Sequence, residues 1–134
     1  MIVAFDSDVL IYAADDQQPL GTPVVRLLSD SSVIAIGSVL LRVETLVKPL
    51  RLNPSGVETE NLMSILGRLT LIPCSDQISM TAVSLGVRYG LKGPDAIHLA
   101  TAIDAGADQF LTNNRKDFPT TIREIDIVYP DAAP

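Results

Sequence analysis

Sixteen aspartates and glutamates are spread along this chain of 134 residues, and a few stand where carboxylates can do chemistry. Asp6-Ser7-Asp8 sets two carboxylates one residue apart, directly after the apolar run Ile2-Val3-Ala4-Phe5. Asp8 alone would suffice to cap a following helix, since Asp is a good N-cap. The second carboxylate, Asp6, calls for a cation. Glu44 stands beside an apolar stripe of Val39, Val43, Leu46 and Leu50, spaced i, i+4, i+7, i+11. That stripe is expected to face a core. Glu44 could also be a solvated acid paired with Lys48 at i+4. Asp95 and His98 lie three residues apart on one helix face, next to the core positions Ala96, Leu99, Ala100 and Ile103. Asp95 could serve only the helix dipole, and His98 could be a hydrogen-bonded structural residue. Asn114 and Asp117 flank the basic pair Arg115 and Lys116 in a polar segment that could equally be an ordinary loop.

Five short apolar runs precede or separate these groups. They fall at 2–5 (IVAF), 33–36 (VIAI), 69–72 (LTLI), 109–111 (QFL) and 125–128 (IDIV). Continuous short runs of this kind are expected of strands covered on both faces. Helical patterns lie between them at 9–14, 23–28, 38–49, 55–66, 75–87 and 94–105. Pro23 and Pro94 suit first helical positions, Ser38 suits a cap, and Pro49 should end or kink its helix. Gly106 follows the last helix as a stop signal. Strands alternating with helices predict an α/β fold with a central parallel sheet of about five strands and helices on both faces. Residues 1–129 are expected to form one domain and 130–134 a loose tail. Ligands in such folds bind beyond the carboxyl ends of the strands. Asp6, Glu44, Asp95, and Asp117 or Asn114, all fall at or just past such ends. They should converge on one pocket.

Composition bounds the rest. Hydrophobic residues make up 47% and charged residues 19%, which excludes intrinsic disorder. Mean hydropathy is +0.31, yet the longest charge-free apolar runs hold eleven residues. A bilayer span needs about 18, so no membrane association is expected. The start of the chain carries no basic stretch or cleavage site, so no signal peptide is expected. Cys74 is the one cysteine, which excludes an internal disulfide and a multi-cysteine zinc site and suits a reducing cytoplasm. The net charge of −6 argues at first against a phosphate-rich partner. Setting aside Asp6, Asp8, Glu44, Asp95 and Asp117 as one metal site, however, leaves eleven acids against ten bases. The acidity is then largely local, and cations would neutralise it. Hard oxygen donors suit Mg²⁺ or Mn²⁺ rather than zinc. Two such ions about 3.5–4 Å apart can activate a water and steady the leaving oxygen of a phosphodiester.

Four segments together resemble the PIN domain family. They are D-S-D-V-L-I-Y-A at 6–13, S-x-x-x-x-x-E at 38–44, P-D-A-I-H-L-A-T-A at 94–102 and T-N-N-R-K-D-F at 112–118. Within that family the chain looks like the VapC-type ribonuclease toxins of toxin–antitoxin pairs. The resemblance covers essentially the whole chain, in order. It implies a metal-dependent endoribonuclease in which Asp6, Glu44 and Asp95 hold one or two Mg²⁺ or Mn²⁺ ions. The fourth acidic position falls on Asp117, with Asn114 the other match. Ser7, Asp8, Thr112 and His98 would support these ligands, Asp8 standing where Asn is common. Arg42, Arg115 and Lys116 would meet RNA phosphates, with Lys48, Arg51 and Arg88 farther out. A small antitoxin partner and a homodimer are implied as well. Two alternatives remain open at this point. Asp6-Ser7-Asp8 also resembles the D-x-D motif of haloacid dehalogenase-like phosphatases, with Asp6 as nucleophile and only Lys92 and Asp95 available for the later roles. Asn114 in place of an acid also leaves room for a degenerate PIN scaffold used only for protein contact.

Overall fold

The computed structural model describes residues 1–132. All five expected strands form, as β1 (Ile2–Phe5), β2 (Ile34–Ser38), β3 (Thr70–Ile72), β4 (Gln109–Leu111) and β5 (Asp126–Val128). They pair in parallel in the order β3-β2-β1-β4-β5. Six helices connect them: α1 (Ser7–Ala14), α2 (Gly21–Ser29), α3 (Leu40–Leu52), α4 (Val57–Arg68), α5 (Asp76–Tyr89) and α6 (Gly93–Asp104). Among the described residues no helix is long and apolar enough to cross a membrane. A turn of 3-10 helix at Pro130–Ala132 opens the segment expected to be a loose tail. Residues 133–134 lie outside the described residues.

Alternation along the strands feeds two cores. Val3 and Phe5 of β1 and Leu111 of β4 pack with Val9, Leu10, Val24, Leu41 and Leu62 from α1 to α4. Ala4, Ile36, Phe110 and Ile127 enter the opposite core with Ile78, Leu85, Leu99 and Ala100 of α5 and α6. Burial on both faces explains why these strands read as continuous apolar runs. Each large side chain so buried contributes about 1.5–3 kcal/mol.

Several details depart from the sequence reading. Pro23 is the third helical residue, not the first, because α2 starts at Gly21. Its missing N–H is still harmless in the first turn. Ser38 ends β2 rather than capping α3 from outside the sheet, although its hydroxyl still accepts the Leu40 N–H at 3.1 Å. Pro49 neither ends nor breaks α3, which runs on to Leu52 and closes where Asn53 N–H meets the Pro49 carbonyl. Pro49 stands in the last turn, so it forfeits one bond and no more helix depends on it. The stripe of Val39, Val43, Leu46 and Leu50 faces the core only in part: Leu46 packs against it and Val39 is half-buried. Val43 is 63% and Leu50 44% exposed, whereas Leu41 and Thr45 are buried. α3 carries two apolar faces, and α4 and α1 pack against this helix.

The strand order places a switch point between β1 and β4. The chain leaves β1 towards β2 and later crosses back to add β4 on the other side. Crevices at such points are where open α/β sheets bind ligands. The Asp6 N–H bonds the Leu111 carbonyl at 2.9 Å and ties the two strand ends together.

Gly21 lets α2 start directly against α1. A Cβ there would stand 2.2 Å from the Tyr12 carbonyl oxygen. Gly21→Ala is therefore expected to lower stability by about 1–3 kcal/mol through overpacking. Urea unfolding should show a lower midpoint at unchanged slope. An unchanged midpoint would mean that the α1–α2 junction yields freely.

Candidate active site

Asp6 is the residue after β1 and the N-cap of α1. It, rather than Asp8, fills the capping role. One carboxylate oxygen accepts the Ser7 N–H at 2.8 Å and the other accepts the Thr112 hydroxyl at 2.7 Å. Thr112 is fully buried just past β4, and its Oγ1 also accepts the Asn114 N–H. Asp6 itself is only 5% exposed. Burial pushes its carboxyl above the usual range, against the pull of His98 and the Thr112 and Ser7 bonds.

Asp8 joins the two sides of the crevice. Its Oδ1 accepts the Val9 N–H at 2.7 Å and its Oδ2 accepts the Asn113 N–H at 3.0 Å. The Asn113 side chain donates in turn to the Tyr12 hydroxyl at 3.1 Å. Burial, then the charge of Asp6, raises the Asp8 carboxyl to about 6. Asn113 and Tyr12 were not singled out from the sequence. Their only signal is the Asn113-Asn114 pair after a strand, because a contact spanning 101 residues has no local pattern.

Asn114 and Asp117 close a small loop on each other. The Asn114 amide donates to Asp117 Oδ2 at 2.9 Å, and Asn114 Oδ1 accepts the Asp117 N–H at 3.2 Å. Both polar ends of Asn114 are thus engaged with Asp117. Asp95, half-buried in the first turn of α6, is raised by burial and then by the charges of Asp6 and Asp117. Glu44 does not pair with Lys48. Its Oε1 lies 2.5 Å from His98 Nε2, reached from α6. The His98 bond leads the effects that hold Glu44 below its usual value. Burial pulls the His98 ring down, but the Glu44 bond and the charges of Asp6, Glu44 and Asp95 outweigh it and raise the ring.

The basic residues divide. Arg115 pairs with Asp131 at 2.5 Å and lies 4.1 Å over the Tyr129 ring. Arg88 pairs with Glu124. Arg42 and Lys116 are exposed and have no carboxylate partner among the described residues. Lys92, needed by the phosphatase alternative, is the exposed N-cap residue of α6.

The chain matches the PIN domain model over residues 3–123. The chain belongs to the PIN domain family. No curated protein matches it in sequence. Among solved structures, this PIN domain is similar to a chain of a toxin–antitoxin complex from Klebsiella pneumoniae. That pair is 24% identical with TM-score 0.75, covering 96% of this chain and 97% of the other. It is also similar to a chain of VapBC2 from Rickettsia felis bound to a DNA fragment from their promoter, at 18% identity and TM-score 0.76 over 96% and 98% of the two chains. A third likeness is to DNA-bound VapBC from Salmonella typhimurium, at 16% identity and TM-score 0.69 over 97% and 98%. At these identities the likeness shows a shared fold.

Asp6, Asp8, Asp95 and Glu44 offer oxygen donors that suit a hard divalent cation. Mutual repulsion adds to the elevation of Asp6, Asp8 and Asp95, and a cation would relieve it. The donor chemistry therefore fits. Among the described residues, however, no three Asp, Glu, His or Cys side chains are gathered closely enough to hold a metal ion. Without a cation, Asp8 keeps its proton in the folded state between the unfolded value of 3.8 and about 6, and Asp6 is raised in the same direction. The folded state then binds more protons than the unfolded one, so stability from this site falls as pH rises through that window. Asp6→Asn keeps an acceptor for Ser7 N–H and removes the charge. In EDTA at pH 7.5 it should raise the melting temperature by roughly 2–5 °C, with the gain shrinking towards pH 4. A melting temperature unchanged or lowered at pH 7.5 would show that Asp6 carries no electrostatic strain.

Proposed function

We propose that this PIN domain is a divalent-cation-dependent endoribonuclease and the toxin of a toxin–antitoxin pair. The observation that carries the reading is the placement of Asp6, Glu44 and Asp95 around the β1–β4 switch point of a PIN chain. Asp6, Asp95 and Glu44 would hold Mg²⁺ or Mn²⁺, one or two ions. Asp117 is the fourth acid on this reading, and Asn114 positions it, since both ends of the Asn114 amide are spent on Asp117. A bound ion would activate water and steady the leaving oxygen of the phosphodiester. The protein's own part is orientation. Thr112 and the Ser7 N–H fix Asp6, and Asp8 fastens the loop after β4 to α1. Arg42 and Lys116 are free to meet RNA phosphates. Arg115 can do so once it leaves Asp131, a half-exposed partner that a phosphate can displace.

Exposed apolar faces support partners. Val43, Val47 and Leu50 line one side of α3, and Met80, Val83 and Val87 line α5. Surfaces of this kind suit protein contacts, here an antitoxin segment and a second copy of the chain. A groove of about 290 Å³ between α1, α3 and α4 runs from Ile11 and Leu52 up to Glu44. A partner segment lying there would reach the acidic site. Placement in a reducing cytoplasm accords with the exposed free thiol of Cys74.

The purified chain should cleave RNA with Mg²⁺ or Mn²⁺ and stop in excess EDTA. Loss of a residue that merely supports a metal ligand typically costs about 10–100-fold. Asp6→Asn and Asp95→Asn should each cost more than that in the cleavage rate. Cleavage that survives both substitutions, or full activity in EDTA, overturns the reading. Hydrolysis of small phosphomonoesters through an acyl-phosphate on Asp6 would favour the phosphatase instead. Inert protein that still captures an antitoxin would favour a contact scaffold.

A further inference from the structure

His98 is the one histidine of the chain, and its side chain is 1% exposed. Its Nε2 meets Glu44 Oε1 across 54 residues of sequence. Its Nδ1 is buried with no hydrogen-bond partner among the described residues. A buried histidine kept only for packing would be expected to satisfy both nitrogens. This one spends its single bond on a carboxylate at the candidate site. Whether the ring is neutral with a bare Nδ1 or charged, Nε2 carries a proton that it donates to Glu44.

The ring directs the carboxylate, not the reverse. His98 is itself buried on α6, next in sequence to the fully buried Leu99. Glu44 is on a longer stem, and its side chain is 30% exposed. Two forces pull Glu44 away from the site. The charges of Asp6 and Asp95 repel it, as their own elevation by Glu44 shows. Lys48, one turn along α3, offers it a cation in solvent. The bond to His98 opposes both and is the largest of the effects that favour the ionised Glu44, with a smaller one from the Ser7 side chain.

We infer that His98 is a positioning residue that holds one oxygen of Glu44 and leaves the other available to a divalent cation shared with Asp6 and Asp95. The inference rests on the cation-dependent reading of the site. It makes a PIN-type acid on α3 depend on a residue of α6, so that the two helices are coupled through one hydrogen bond.

Because there is a single histidine, a long-range proton–nitrogen NMR spectrum of the ¹⁵N-labelled wild-type chain reads this ring alone. The expected result is a protonated, hydrogen-bonded Nε2 whose resonance moves in Glu44→Gln and again as Mg²⁺ is added. Titration calorimetry with Mn²⁺ supplies the second measurement. His98→Ala should weaken Mn²⁺ binding roughly tenfold. His98→Gln, whose amide can donate to Glu44, should recover most of it. The pair His98→Ala with Glu44→Ala should bind no more weakly than Glu44→Ala alone. Wild-type affinity in folded His98→Ala, or losses that add in the double variant, overturns the inference and leaves the nuclease reading standing. A wild-type chain that binds neither Mg²⁺ nor Mn²⁺ overturns both. Should His98→Ala fail to fold, the wild-type spectrum decides: a bare Nε2, or a resonance indifferent to Mg²⁺, sinks the role given to His98.

Discussion

Like charges must be kept near one another at the end of the β1–β4 crevice, and much of the local structure follows from that. In water the repulsion between carboxylates is modest, but it grows as the surroundings become less polar. Asp6 is nearly buried, so each of its oxygens is met by a donor fixed in the fold, the Ser7 N–H and the Thr112 hydroxyl. Asp8 is met by two backbone N–H groups. Charge-assisted bonds of this kind are each worth about 1.5–3 kcal/mol, enough to hold ionised groups that burial and mutual repulsion would otherwise expel. Those bonds come from both sides of the switch point, so the site also stitches the strands of its own scaffold together.

The His98 ring marks where that arrangement costs stability. A buried nitrogen without a partner costs about 1–3 kcal/mol. The chain tolerates the unpaired Nδ1 while Nε2 is engaged by Glu44. Stability is often given up at sites in this way. A fold selected for stability alone would more easily have placed an apolar side chain at this buried position of α6.

The sequence disclosed what is local. Strands covered on both faces announce themselves as short apolar runs, and all five were legible, as was the α/β class. Asp6 and Asp95 stood out because one follows a strand and the other lies in the first turn of a helix, whereas Glu44, the fifth residue of α3, had only its apolar neighbours to mark it. What stayed hidden was pairing across the fold. Nothing near Asp8 in sequence points to Asn113, and nothing near Glu44 points to His98; Lys48 at i+4 was the natural local partner. The α3 stripe misled for a related reason. Apolar spacing shows that a helix has an apolar face but not which of two such faces is covered, and Leu41 and Thr45 won over Val43 and Leu50. Pro49 misled because a proline's effect depends on how much helix lies beyond it, which is a single turn here.

The strand order has a consequence for how the chain is made. β1, the first of the five strands to be made, lies in the middle of the sheet, and its second neighbour, β4, is the fourth. A nascent chain can lay β2 against β1 early, but one edge of β1 stays open until residue 111 has emerged. Thr112, which fixes Asp6, and Asp117 arrive later still. The ribosome therefore releases the pieces of the acidic site separately and assembles none of it early. Whatever chemistry the finished site performs must wait until residue 117 has been made. The open strand edge is the vulnerability that goes with that delay.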